Sequence, residues 1–208
     1  MRKPFWLIDG KLREAHFFLE KLRYAPDLDE ARFYFSAFTS AARSITYSLQ
    51  CCIKGLPDAE AWWEAQRRKL IRDSIAKYFH SIRNQINHVG LNPLQTRSHS
   101  LTMPHADYLL GDDKAPELDV LKAADQYMKL LTDISASTYN KFWKFLNLPL
   151  NMTPDDFRAR GLNFEEVEEE FGFPSGYFAG VNDETRIHFL TVYSQTYTAR
   201  LVQQFGSP

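Results

Sequence analysis

The chain has 208 residues, with 25 Lys and Arg against 26 Asp and Glu. That length suits one domain, or one domain with an appendage, and a net charge near zero excludes a protein that holds nucleic acid by bulk charge alone while leaving room for a local basic patch. The only cysteines, Cys51 and Cys52, are adjacent; neighbours on a helix point apart, so no disulfide framework is expected and a reducing compartment is.

The first residues contain an apolar run of only four, Phe5 to Ile8, before Asp9. This is too short for a signal peptide or a membrane span, and no later stretch approaches the roughly 18 apolar residues a span requires. A soluble, cytoplasmic protein with no membrane association is expected. Asp9 can cap a helix starting near Lys11, whose apolar residues Leu12, Ala15, Leu19 and Leu22 recur every three or four positions, with Phe17 and Phe18 widening the stripe. Pro26 breaks this helix, and Asp27 followed by Glu30 has the form of a capping box. The next helix, over about 28 to 54, buries Ala31, Phe35, Phe38, Ala42, Ile45, Leu49 and Ile53 on one face and ends at Gly55 and Pro57. Its other face carries Ser36, Thr39, Ser40, Arg43, Thr46 and Gln50. Small hydroxyl residues within a helix accommodate the close approach of a neighbouring helix; the alternative places Arg43, with Ser40 or Thr39, beside a polar site.

A third helical region starts after Asp58 and runs through Arg72. From Ala65 to Arg83 the basic residues Arg67, Arg68, Lys69, Arg72, Lys77 and Arg83 face a single acid, Asp73. Such an excess is either a solvated helix face or a surface for a polyanion. The stretch Tyr78–Gly90 is the most distinctive of the chain. At about 100° per residue, Ile75, Phe79, Ile82, Ile86 and Val89 fall on one side with Tyr78 at the edge, and His80, Arg83, Asn84, Asn87 and His88 on the other. Asn and His are poor helix formers compared with the Glu, Lys and Gln of a plain solvated face, so this face is read as one built for contact or chemistry. Gly90 ends the helix.

Residues 91 to 116 hold Pro93, Pro104, Pro116 and Gly111 and read as a loop with an extended piece at Thr96 to Met103, long enough to wall a site. His99 and His105 read as ordinary loop histidines. From Glu117 to about Leu146 the residues Leu118, Leu121, Ala124, Met128, Leu131, Ile134, Phe142 and Phe145 trace another amphipathic helix, which Pro149 ends. Thr153 with Pro154, and Asn163 with Glu166, mark two short helix starts around Gly161. Their helix-turn-helix outline carries five glutamates on the second helix, which repel phosphate. Asp183 is expected to cap a last helix bearing Ile187, Leu190, Tyr193, Tyr197, Leu201 and Phe205. With strand signals almost absent, the fold class is all-α: an antiparallel bundle of long helices over residues 1–148, with 149–208 as a small helical C-terminal extension packing on it.

No Gly-rich phosphate loop, Cys-x-x-Cys, His-Glu-x-x-His or Gly-x-Ser-x-Gly occurs. His80 and His88 lie two helical turns apart, too far for one small metal ion without a third element, and neither a metal nor a cofactor is expected. The Arg83, Asn84, Asn87 and His88 cluster remains. Arg83 and His88 diverge by about 140° with about 7.5 Å of rise on an ideal helix, and the amides of Asn84 and Asn87 fill the arc between them. Metal-free RNA cleavage needs a group that titrates near neutrality and a fixed cation for the charge building on phosphate, which His and Arg supply. The competing reading is a histidine stabilised near a helix C-terminus, with a salt-bridged arginine one turn above.

Arg83-Asn84-Gln85-Ile86-Asn87-His88 resembles the Arg-x-x-x-x-His signature, with Asn after the Arg, of the HEPN superfamily of helical bundles, many of them metal-independent endoribonucleases. The resemblance covers roughly residues 10 to 147, where the motif ends a helix and follows a long polar-striped one. It implies Arg83 and His88 as the catalytic pair and Asn84 as a supporting residue, with Arg43 or Ser40 of the preceding helix assisting. His80, Asn87 and Lys77 join these as substrate-binding candidates. It further implies RNA as substrate, a homodimer in which both motifs line one cleft, and an antitoxin or regulatory protein as partner. One position departs from the pattern: toxins silenced by a nucleotidyltransferase carry Tyr two residues after the His, where this chain has Gly90. The alternative function is a non-catalytic bundle that dimerises or binds a partner or a nucleotide.

Overall fold

A computed structural model describes residues 6–96, 108–142, 145, 164–170, 173–174, 176–194 and 196–205. Helix α1 spans Trp6–Arg23 and α2 Leu28–Ile53. They form a hairpin and pack on each other more extensively than any other pair of elements among the described residues. The turn between them is fixed chemically: Asp27 Oδ1 accepts from the Glu30 amide at 2.8 Å, and the Tyr108 hydroxyl donates to the carbonyls of Ala25 at 3.1 Å and Asp27 at 2.8 Å. Only half of the expected capping box forms, since the Glu30 carboxylate accepts from the Tyr34 hydroxyl instead.

Helices α3 (Ala59–Arg72) and α4 (Ser74–Val89) are separated by one residue, Asp73, a break that periodicity did not mark. Its extended backbone, with ψ at 129°, turns the chain. Its amide donates to the Lys69 carbonyl, closing α3, and its carboxylate accepts from the Ala76 amide at 2.9 Å, opening α4. Gly90 stops α4 at φ 77°, a left-handed conformation suited to glycine.

The loop that follows contains a small antiparallel hairpin, β1 (Leu94–Thr96) with β2 (Tyr108–Leu110), in register Leu94 to Leu110. The extended piece expected at Thr96 to Met103, like His99 and His105, lies outside the described residues apart from Thr96. The hairpin packs on α2 and on α5 (Val120–Phe142). Beyond α5 come α6 (Phe164–Glu170), α7 (Asp183–Ser194) and α8 (Tyr197–Phe205). The Pro149 stop, the Thr153–Pro154 start, the turn at Gly161 and the Asn163 cap also lie outside the described residues.

The described residues are all-α apart from that hairpin. Its core is the expected one: Leu12, Leu19, Leu22, Phe35, Phe38 and Leu49 are fully buried, with Met128 and Leu131 of α5 against them. Phe79 is its hub, stacked on Tyr127 at 4.6 Å between ring centres and set edge-on or tilted against Phe38 at 5.8 Å and Phe35 at 6.0 Å. Burying Phe79, Ile82, Ile75 and Tyr78 inward is what turns His80, Arg83, Asn84 and Asn87 outward.

The structure corrects several expectations. Phe17, Leu118 and Val89 are 52%, 53% and 66% exposed, because α1 shows Phe17 to solvent, Leu118 precedes α5, and the last turn of α4 runs past the core. The single C-terminal helix expected from Asp183 is two, broken before Tyr197, and Asn182 rather than Asp183 caps the first, through the Thr185 amide at 2.9 Å. Asp9 does not cap α1, which already begins at Trp6. It reaches across to α8 and accepts from the Tyr197 amide at 2.8 Å, the Thr198 amide at 3.1 Å and the Thr198 hydroxyl at 2.6 Å. Helix α8 packs on α5 and α1 and places Leu201 in the main core. Among α6, α7 and the turn between them, Glu168 pairs with Arg186 at 2.5 Å and Phe178 stacks on Phe189, outside that main core.

Candidate functional site

The polar face of α4 lies along α2. Asn87 sits against Ser40, the Ser40 Oγ being 3.5 Å from either end of the Asn87 amide, a contact at the outer limit of a hydrogen bond. Farther toward the start of α4, Ala76, Lys77 and His80 share a cavity with Arg43, Tyr47 and Gln50 of α2. Most hydroxyls of α2 are satisfied within their own helix: Thr39 donates to the Ser36 carbonyl, Ser44 to that of Ser40 and Thr46 to that of Arg43. Thr39 is buried and takes no part in the face, whereas Ser40 and Arg43 do.

Arg43 is held in place. One guanidinium nitrogen donates to the Thr46 hydroxyl at 3.0 Å, another to the Tyr47 hydroxyl at 3.3 Å, and its central carbon lies 4.6 Å from the centre of the Tyr47 ring. Arg83 is half-buried on α4 and donates to the adjacent Asn84 side chain at 3.3 Å, while its Nε is buried without an acceptor. Neither arginine has a carboxylate partner among the described residues. The other half-buried arginines do: Arg23 reaches Asp125 at 2.9 Å, Arg32 reaches Asp29 at 3.8 Å, and Arg186 reaches Glu168. A half-buried guanidinium gives up part of its hydration, and an anion is the usual compensation.

His80 is one turn from Arg83. Partial desolvation of its ring, and then the neighbouring charges of Arg43 and Arg83, push its pKa below the ordinary histidine value. Two cations therefore bear on one imidazole, which favours its neutral form until an anion arrives. Tyr127, whose hydroxyl is pushed up to about 12 chiefly by burial, contributes to the same cavity.

The structure thus brings together Arg43, Lys77 and His80 in one cavity, and sets Arg83 close enough to His80 to act on its charge. Asn84 attends Arg83 alone, and Asn87 attends Ser40 and not the Arg83–His88 arc. His88 stands apart in the last turn of α4, exposed and without a hydrogen bond or ion pair to any described residue. Among the described residues no three His, Cys, Asp or Glu side chains converge in a metal-sized group. No helix among them is long and apolar enough to cross a membrane.

Sequence reasoning missed Tyr47 and Trp63, which line the cavity beside Arg43 and His80. Tyr47 follows Arg43 by one turn and was legible as a continuation of the polar stripe. Trp63 was not, because its place depends on the bend at Asp73. Arg67 also lines the cavity, but Glu64 accepts two hydrogen bonds from it at 2.9 and 3.1 Å and takes up its charge. The chain matches no protein-family model, no curated protein and no solved structure.

Proposed function

We propose that this chain is a metal-independent endoribonuclease of the HEPN type, with His88, Arg83 and Asn84 as its reacting set. The observation that carries the reading is Arg83: a half-buried cation without a carboxylate among the described residues, donating to Asn84, on the same helix as the exposed His88 five residues on. In the reaction the ribose 2′-oxygen attacks the adjacent phosphorus while its proton passes to a base, and the bond to the 5′-oxygen breaks as that oxygen takes up a proton. A 2′,3′-cyclic phosphate and a free 5′-hydroxyl result. Histidine is the side-chain type suited to moving both protons near neutrality, and a fixed guanidinium stabilises the negative charge that grows on the non-bridging oxygens.

His88 and Arg83 on one helix are separated by more than a turn. A homodimer in which the two α4 faces meet across the RNA supplies a second histidine for the second proton and brings the cation of one protomer to the phosphate. Ser40, Arg43, Lys77, His80 and Asn87 then contact the flanking chain. Such an enzyme acts in the cytoplasm as a toxin or defence component restrained by an antitoxin or regulatory protein.

The test is cleavage of a structured RNA by purified protein, with and without EDTA. Wild type cuts equally in both, leaves cyclic phosphate ends, and spares a substrate carrying a 2′-deoxy sugar at the cut site. His88→Ala and Arg83→Ala each remove activity while the elution volume and melting temperature are kept. Cleavage surviving both substitutions, or none by wild type on any RNA, overturns the proposal; the second outcome leaves a non-catalytic binding bundle.

A further inference from the structure

The cavity between α2, α3 and α4 has a chemistry of its own. Its volume is about 350 Å³, at the small end of the roughly 300–1,000 Å³ of small-molecule sites. Trp63, Leu70, Ile71 and Ala76 give it apolar walls, with Tyr127 beside them. Arg43, Lys77 and His80 bring nitrogen donors to the same space, and no Asp or Glu lines it. Arg43, Lys77 and His80 have no carboxylate partner among the described residues, in contrast with Arg67, which Glu64 neutralises. A purely apolar guest leaves the Arg43 and Lys77 cations uncompensated, and a bare inorganic anion leaves the apolar walls wet. A ligand that satisfies both halves carries a planar ring at one end and an anionic group at the other.

We propose that this cavity binds a single nucleotide unit, its base against the Trp63 side and its phosphate on Arg43, Lys77 and His80. The volume admits one such unit and no more. Nitrogen donors with an aromatic wall form the combination that single-stranded nucleic acids use, phosphate on cations and base on a ring. The unit comes either as a free mononucleotide or as one residue of an RNA chain. The site stands apart from His88, so it does not depend on cleavage there.

Binding is measured by isothermal titration and by tryptophan fluorescence, on wild type and on His88→Ala. The probes are the four ribonucleoside 5′-monophosphates, the matching neutral nucleosides, inorganic phosphate, and a six-nucleotide 2′-deoxy oligomer that no 2′-hydroxyl mechanism can cut. Saturable binding of at least one monophosphate is expected, ten-fold or more tighter than its nucleoside and than inorganic phosphate. Arg43→Gln and Lys77→Gln each weaken it ten-fold or more, and Trp63→Leu removes the fluorescence response, with circular dichroism unchanged. Displacement of the monophosphate by the oligomer identifies a unit of a nucleic-acid chain, whereas saturation without displacement identifies a free mononucleotide. Phosphate binding as tightly as every monophosphate, nucleosides binding equally well, or no heat and no fluorescence change with ligand at about 1 mM and in at least ten-fold molar excess over protein overturns the proposal. His88→Ala retains binding in full, so loss of cleavage and loss of this site are read separately.

Discussion

Asp9→Ala tests how far the C-terminal helix depends on a residue 188 positions away. The carboxylate accepts the Tyr197 and Thr198 amides, two of the donors that an α-helix leaves open at its start, and the Thr198 hydroxyl as well. Losing an N-cap costs about 1 kcal/mol, and leaving the buried Thr198 hydroxyl unpaired costs about 1–3 kcal/mol more. Part of this is offset, because burial disfavours the Asp9 charge and pushes its pKa above the ordinary range against the pull of those same bonds. The net loss is about 2–3 kcal/mol, or roughly 5–10 °C in melting temperature for a chain of this size. Asp9→Asn, which keeps an acceptor oxygen but loses the charge, falls about midway. Urea unfolding gives the free energy, and hydrogen exchange of the α8 amides localises it. An Asp9→Ala midpoint within about 0.5 kcal/mol of wild type, or unchanged α8 protection, would refute the reasoning.

Phe79→Ala removes the ring stacked on Tyr127 and is expected to cost about 3–5 kcal/mol in urea unfolding, with the outward face of α4 losing its support at the same time. His80, followed by its ring proton signals in an NMR titration, is expected to have its midpoint below the ordinary histidine value, and Arg83→Met or Arg43→Met to move it upward. The sign follows for stability. The folded state takes up this proton only at lower pH than the unfolded chain does, so the contribution is present above the unfolded value and is lost as the pH falls through the window beneath it. The effect is small because His80 is largely exposed.

Much of the bundle was legible in the sequence because it rests on local rules. Leu12, Ala15, Leu19 and Leu22, and Ala31, Phe35, Phe38, Ala42, Ile45, Leu49 and Ile53, are buried where a period of 3.6 puts them, and Asp27 caps α2 through the amide three residues on. The outward set His80, Arg83, Asn84 and Asn87 follows from the same period applied to α4. What escaped depends on partners distant in sequence. Asp9 carries the signature of a local cap, but its donors come from α8, and nothing within a few residues reveals that. The separation of α7 from α8 is marked by Thr196, whose hydroxyl caps the second helix through the Ala199 amide at 3.1 Å; the apolar pattern runs through without a pause. Val89 continues the stripe of α4, yet a stripe is buried only as far as there is core opposite it. Tyr47, Trp63 and His80 meet because three helices converge, which no single-helix projection contains.

Asp73 has a consequence for that meeting. Two walls of the cavity, Leu70 and Ile71 on α3 and Ala76, Lys77 and His80 on α4, belong to helices joined by this one residue, whose amide and carboxylate are committed to the helix on either side of it. There is no slack between them to work as a gate, since widening the mouth means breaking the last bond of α3 or the first of α4. The cavity therefore has its shape before any guest arrives, and little ordering is left for binding to oppose. Inserting a glycine after Asp73 introduces that slack and is expected to weaken occupancy through the entropy of closure, with every lining side chain still present.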